Sequence, residues 1–240
     1  MIYFFSSAHH LIMVTLTSTG KLQAVLTRID QAARQFGRNP AVISLLAISK
    51  TWPAADIRAL ANAGQRAFGE SYLQESLDKM AVLSDLPIEW HFIGALQSNK
   101  TRQVAAHFDW VHSLDRLTIA ERLSEQRPSF RPPLSVCLQV NLSGEASKGG
   151  VSVSEAPSLA RAVAVLPGLR LRGLMTLPAP SSDFETQRRP FRCLRELLQQ
   201  LQTDGLSVDT LSMGMSQDLE AAIAEGATLV RVGTAIFGER

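Results

Sequence analysis

The chain has 240 residues, of which 45% are apolar, and its 24 Lys and Arg nearly balance 22 Asp and Glu. Basic residues are scattered apart from Arg188, Arg189 and Arg192, which excludes an electrostatic footprint for nucleic acid, and no apolar stretch reaches membrane-spanning length. Cys137 and Cys193 lie far apart and outside any metal-ligand spacing, so they are expected as reduced thiols of a cytoplasmic protein, with no metal site and no disulfide framework.

Residues 1–18 are expected to form an extension. Met1–Phe5 and Leu11–Val14 are apolar, but no lysine or arginine precedes Lys21 and no small-residue cleavage site follows, so a signal peptide is not expected. A start at Met13 or a loosely packed tail accounts for the segment.

From there the pattern alternates. A helix is predicted over Thr19–Phe36, with Leu22, Val25, Leu26 and Ile29 on one face and Gly37 at its end. The first strand is Val42–Ser49, and the helix after Pro53 stops at Gly64. Arg66–Gly69 is a short strand, followed by a helix over Glu70–Leu83. The third strand, Glu89–Gly94, precedes a helix over Ser98–His107; the fourth is Asp109–Ser113, with a helix starting at Asp115. Leu134–Asn141 is the fifth strand, followed by a Gly/Ser/Lys loop and a helix over Ser154–Leu166. Leu169–Thr176 is the sixth strand, followed by a long helix over Phe184–Thr203. Val208–Met213 and Thr228–Val232 are the last two strands, separated by a helix over Ser216–Glu225. Eight strand–helix units in about 200 residues predict a single (β/α)8 TIM barrel over residues 19–240, with an extra N-terminal helix. A doubly wound open sheet is the alternative.

The chemistry concentrates at strand ends. Five lysines stand against nineteen arginines, and Lys50 closes the apolar run Ile43–Ile48 before a turn at Pro53. Such a strand delivers a side chain to the carboxyl edge of the sheet, where barrels keep their reactive groups. A partly desolvated lysine there can attack a carbonyl to form a Schiff base. The same rim collects Thr51, Gly69, Glu70, Ser71, Gly94, Gln97, Ser98, Asn99, Asn141, Met175, Thr176, Ser212, Gly214, Ser216, Arg231, Gly233 and Thr234. The loops after the seventh and eighth strands are rich in glycine and hydroxyls, as phosphate-binding loops of barrels are. A Schiff-base lysine facing a phosphate cup points to a phosphorylated carbonyl substrate or to pyridoxal 5′-phosphate.

Several segments then fall into a recognisable order: Leu46-Ala47-Ile48-Ser49-Lys50-Thr51, Phe68-Gly69-Glu70-Ser71, Trp90-His91-Phe92-Ile93-Gly94, Leu174-Met175-Thr176-Leu177-Pro178, Ser212-Met213-Gly214-Met215-Ser216 and Arg231-Val232-Gly233-Thr234. From about Lys21 onward the chain resembles the pyridoxal phosphate homeostasis protein family, whose barrel is like the N-terminal domain of alanine racemase. The resemblance implies a carrier or regulator that holds pyridoxal 5′-phosphate as an internal aldimine on Lys50; a cytoplasmic monomer is the accompanying expectation. It implies that Ser212, Gly233 and Thr234 bind the phosphate, that Arg231 faces the pyridine nitrogen, and that Met213 and Ser216 line the site. Ser71 departs from the asparagine usual after Phe-Gly-Glu and puts a cofactor contact from that position in doubt.

Other conspicuous residues have plainer readings. His91 is expected to be structural or ring-orienting, and His107 and His112 have no carboxylate partner visible in sequence. Glu70 and Glu75 read as ordinary negative charge at a helix start. The Arg188–Arg195 cluster reads as a solvated helix face. Lys100 either reaches the rim or covers its helix, and Lys148 is a candidate transient second amine. Two functions stay open: a cofactor carrier serving pyridoxal phosphate-dependent apoenzymes, or an enzyme such as an amino-acid racemase or Schiff-base aldolase. A two-base racemase needs a second acid–base group opposite the lysine, often a tyrosine from another domain. The chain has only Tyr3 and Tyr72, and it ends six residues after Thr234, so a carrier without a catalytic residue is the expectation.

Overall fold

The computed structural model describes residues 17–142 and 149–239. The expectations for residues 1–16 and for Lys148 lie outside them. Eight parallel strands close into a barrel in chain order: β1 (Ser44–Ile48), β2 (Ala67–Glu70), β3 (Glu89–Phe92), β4 (Trp110–Leu114), β5 (Leu134–Gln139), β6 (Leu169–Met175), β7 (Thr210–Ser212) and β8 (Leu229–Val232). Closure joins β1 to β8, with Leu46 beside Arg231 and Ala47 beside Val232. This is the TIM barrel expected from the alternation.

The surrounding helices are α1 (Ser18–Gln35), α2 (Ala54–Asn62), α3 (Leu73–Val82), α4 (Thr101–His107), α5 (Leu117–Gln126), α6 (Ala156–Ala164), α7 (Phe184–Thr203), α8 (Leu219–Ala224) and the single turn α9 (Thr234–Phe237). None of the described helices is long and apolar enough to cross a membrane. Most boundaries fall within a few residues of the sequence expectation. The exception that matters is Glu70, expected to open a helix. It ends β2, fully buried, and α3 begins only at Leu73. Helix α7 runs through Pro190, whose ring removes the amide that would bond the Thr186 carbonyl.

Helix α1 shows how periodicity becomes packing. Thr17 caps it by accepting the Gly20 N–H, and Leu22, Val25, Ile29, Ala32 and Ala33 recur on one buried face. That face packs against α2, α8 and α9, the helices next to β1 and β8 in the chain. The main apolar core lies between sheet and helices. Trp110, Cys137 and Met175 form a separate small cluster. The buried Cys137 thiol is pushed up to about 12 by desolvation, and both cysteines are free thiols.

Candidate functional site

A cavity of about 750 Å³ opens at the carboxyl ends of the strands. Its walls carry Ile48, Trp52, Ile93 and Leu177, and its polar groups include Lys50, Ser71, Ser216, Asp218, Arg231, Thr234, Glu239 and the Gly233 backbone. Apolar walls with a few convergent polar groups are the usual form of a small-molecule site.

Lys50 stands two residues beyond β1, on a turn anchored from both sides. Before it, buried Ser49 donates to Glu70 Oε1 at 2.6 Å, and its carbonyl accepts from Lys79 Nζ at 2.9 Å. After it, the Thr51 amide donates to Glu75 Oε1 at 2.6 Å. Lys79 joins the two sides by pairing with Glu70 Oε1 at 2.8 Å and with Glu75. Thr51 sits at φ +68°, the left-handed region that a β-branched residue rarely adopts. The neighbouring network holds that conformation, and the turn presents Lys50 to the cavity. Burial raises the Glu70 carboxyl above the usual range, against the hydrogen bonds from Lys79 and Ser49.

Opposite lies the junction of β7, β8 and their loops. The Ser216 hydroxyl is 3.4 Å from the Ala235 amide. Gly214 turns the chain after β7 at φ +91°, where an added Cβ would strike Ala222. At Gly233 an added Cβ would lie 3.3 Å from Ile48 Cβ, so the turn presses closely on β1 and a side chain there would have to push Ile48 aside. Trp52 stacks on Phe237, ring centres 5.5 Å apart, which ties the Lys50 turn to α9.

Arg231, from β8, is almost fully buried and still reaches the cavity. Its Nη1 donates to the Ser212 carbonyl at 2.6 Å and to Ser212 Oγ at 2.9 Å; its Nη2 donates to the Thr176 carbonyl at 2.9 Å. Desolvation lowers its pKa to about 10, against the attraction of Asp218, so it remains a cation at neutral pH.

Residues 21–240 match the family model of the alanine racemase N-terminal domain. A pyridoxal phosphate homeostasis protein of Pseudomonas aeruginosa is 60% identical over 224 residues, 93% of this chain and 96% of that protein. One from Escherichia coli K12 is 53% identical over 222 residues, 91% of this chain and 95% of that protein. The chain belongs to the pyridoxal phosphate homeostasis protein family. A solved structure of PipY from Synechococcus elongatus, with pyridoxal phosphate bound, is 38% identical with a TM-score of 0.78, covering 88% of this chain and all of that one.

Within this homeostasis-family barrel, five of the seven site residues expected from sequence share one cavity: Lys50, Ser216, Arg231, Gly233 and Thr234. The other two do not. Ser212 is the last residue of β7, fully buried behind Arg231, where its hydroxyl meets the guanidinium and His112. Met213 is buried in the main core, and Met215 takes its place in the cavity wall. Ser71 does line the cavity, whereas Gln97, Ser98, Asn99 and Lys100 do not.

Sequence reasoning missed Lys79, whose only visible signal is its four-residue spacing from Glu75. It also misread the Arg188–Arg195 cluster. Arg188, Arg192 and Arg195 converge on the fully buried Glu225 at 2.7, 2.9 and 2.7 Å, clamping α7 to the end of α8.

Proposed function

We propose that this chain binds pyridoxal 5′-phosphate in the rim cavity through Lys50, and acts as a carrier that yields the cofactor to apoenzymes. The observation that carries this reading is the convergence of three donor types on one cavity. Lys50 supplies an amine for the aldehyde. Ser216, Gly233 and Thr234 supply hydroxyl and backbone groups for a phosphate. Arg231 supplies a cation for the ring nitrogen. Three of Arg231's five N–H groups are engaged among the described residues, leaving Nε–H and one Nη2–H for a ligand. The cavity volume, about 750 Å³, suits a ligand of this size. The names of the 60% and 53% identical relatives and the pyridoxal phosphate bound in PipY support the same cofactor.

Bound pyridoxal phosphate offers a ring that can accept electrons from a substrate carbon, and an arginine at the nitrogen weakens that sink by keeping the nitrogen unprotonated. Besides Lys50, the titratable side chains on the cavity wall with a carboxyl are Asp218 and Glu239, and Asp218 already accepts the Met215 amide. Tyr72 is exposed and absent from the wall. Among the described residues the wall thus offers Lys50 no tyrosine, and its Asp218 is already engaged, which fits a reservoir better than a two-base racemase.

Borohydride reduction of the yellow protein, followed by peptide mapping, should place the adduct on Lys50, and Lys50→Ala should abolish the visible band; a main adduct on another lysine would overturn the site. Ser216→Ala removes a hydroxyl contact to a charged oxygen, about 1.5–3 kcal/mol, so the dissociation constant should rise about ten- to a hundredfold. The loaded protein should reactivate an apoenzyme and leave the chirality of amino acids unchanged. Steady racemisation that disappears in Lys50→Ala would make it an enzyme.

A further inference from the structure

A line of polar side chains crosses the barrel interior from the amino-end mouth to Arg231. It begins at Glu89, whose side chain is 50% exposed beside a second cavity of about 580 Å³. Glu89 Oε1 is 2.6 Å from His91 Nε2, and His91 Nδ1 is 2.8 Å from His112 Nε2. His112 Nδ1 is 2.8 Å from Ser212 Oγ, which lies 2.9 Å from Arg231 Nη1. Four strands contribute: β3, β4, β7 and β8. Strands β4 and β7 are not neighbours in the sheet, so the His112–Ser212 bond spans the lumen. His91, His112 and Ser212 are all buried.

A guanidinium only donates and a carboxylate only accepts, while a hydroxyl donates once and can accept twice. With both rings neutral, the carboxylate fixes the order: His91 Nε2–H donates to Glu89, His112 Nε2–H donates to His91 Nδ1, and the Ser212 hydroxyl donates to His112 Nδ1 while its oxygen accepts from Arg231. Burial holds both imidazoles below their usual range, which favours the same state. Stacking on Trp110, parallel within 6°, fixes the plane of His91. A fully satisfied buried network is stiff.

We propose that Glu89, His91, His112 and Ser212 are positioning residues for Arg231. The carboxylate at the amino-end mouth sets the proton order along the line, and that order sets the orientation and donor strength of the guanidinium offered to the cofactor's ring nitrogen at the opposite end. The inference rests on the placement of pyridoxal phosphate against Arg231, but its first test needs no cofactor.

Long-range proton–nitrogen NMR of the cofactor-free protein, with nitrogen-labelled histidine at neutral pH, should show both rings as Nε2–H tautomers. Glu89→Ala, which removes the terminal acceptor, should give mixed tautomers. An Nδ1–H tautomer or an imidazolium at either ring in the unsubstituted protein overturns the line. In the loaded protein, His112→Leu should shift the visible band and raise the pyridoxal phosphate dissociation constant about three- to tenfold. His112→Asn, which returns an acceptor near the Nδ1 position, should recover much of that loss. Glu89→Ala should shift the band in the same sense, and it carries the test if His112→Leu does not fold, because its side chain is half exposed. An unchanged band and affinity in both variants refutes the positioning role. If the unsubstituted protein gives no Lys50 adduct, the site reading falls and takes that role with it, a result told apart from the tautomer outcome because the two are measured separately.

Discussion

At the scale of single residues, the buried histidines make the fold sensitive to acid. Desolvation lowers His91, with Glu89 opposing, and lowers His112 well below its usual value, with His91 and Arg231 adding to the effect. In the unfolded chain both rings titrate near the ordinary value of about 6.5. The unfolded state therefore binds more protons as pH falls, and stability is lost on going down through that value. Each ring contributes a slope of at most about 1.4 kcal/mol per pH unit. Urea midpoints at neutral pH and at about pH 5 should show the loss, and His112→Leu should show a shallower dependence. An equal slope in the variant would mean that His112 is protonated in the folded protein. Sequence showed both histidines and neither partner: the residues bonded to His112 lie 21 and 100 positions away. No local pattern links them.

At the scale of elements, the Lys50 turn depends on α3. Lys79 is buried beside Glu70 and Glu75 and holds the Ser49 carbonyl. Removing one partner of a buried pair leaves an uncompensated charge, at about 3–5 kcal/mol. Lys79→Met should therefore lower the unfolding free energy by about that amount, read as a fall in the denaturant midpoint. It should also weaken pyridoxal phosphate binding, because Ser49 and the Glu75 bond to Thr51 lose their common anchor. An unchanged midpoint would show that Glu70 takes up a proton without cost when Lys79 is gone. The pattern Glu75–Lys79 reads in sequence as a surface pair on a helix, as most such pairs are. The arginines of α7 show the same limit. A solvated face and a clamp on buried Glu225 have the same one-dimensional pattern, and only the packing of α7 on α8 tells them apart.

At the scale of the molecule, α1 ties helices from the two ends of the barrel chain, α2 on one side and α8 and α9 on the other. Arg28 pairs with Glu220 on α8 at 2.9 Å and donates to the Ser216 carbonyl at 3.2 Å. The helix packs on α9, which carries Thr234. Leu22→Ala and Ile29→Ala should each cost about 2–5 kcal/mol, or roughly 4–20 °C in melting temperature for a domain of this size. Both should also weaken cofactor binding, because the Ser216 and Thr234 loops rest on this helix. Calorimetry and cofactor titration on the same samples check the coupling. A fall in melting temperature with unchanged affinity would confine α1 to stability.

The alternation of strands and helices was legible in the sequence because periodicity, caps and turn residues act within a few positions of each other. Lys50 was legible for the same reason, as the one lysine that ends an apolar run. Motif order added Arg231, Gly233, Thr234 and Ser216. The tertiary structure alone decided which serine faces the cavity. Ser212 and Ser216 are four residues apart in one loop-rich segment, but β7 ends at Ser212 and pairs it with Met175 and Leu229, which turns its hydroxyl into the lumen toward His112. Ser216 lies beyond the strand, free of that register, and reaches the cavity wall. A register shared by three strands is a long-range property, and barrel closure sets it where no window of the sequence can.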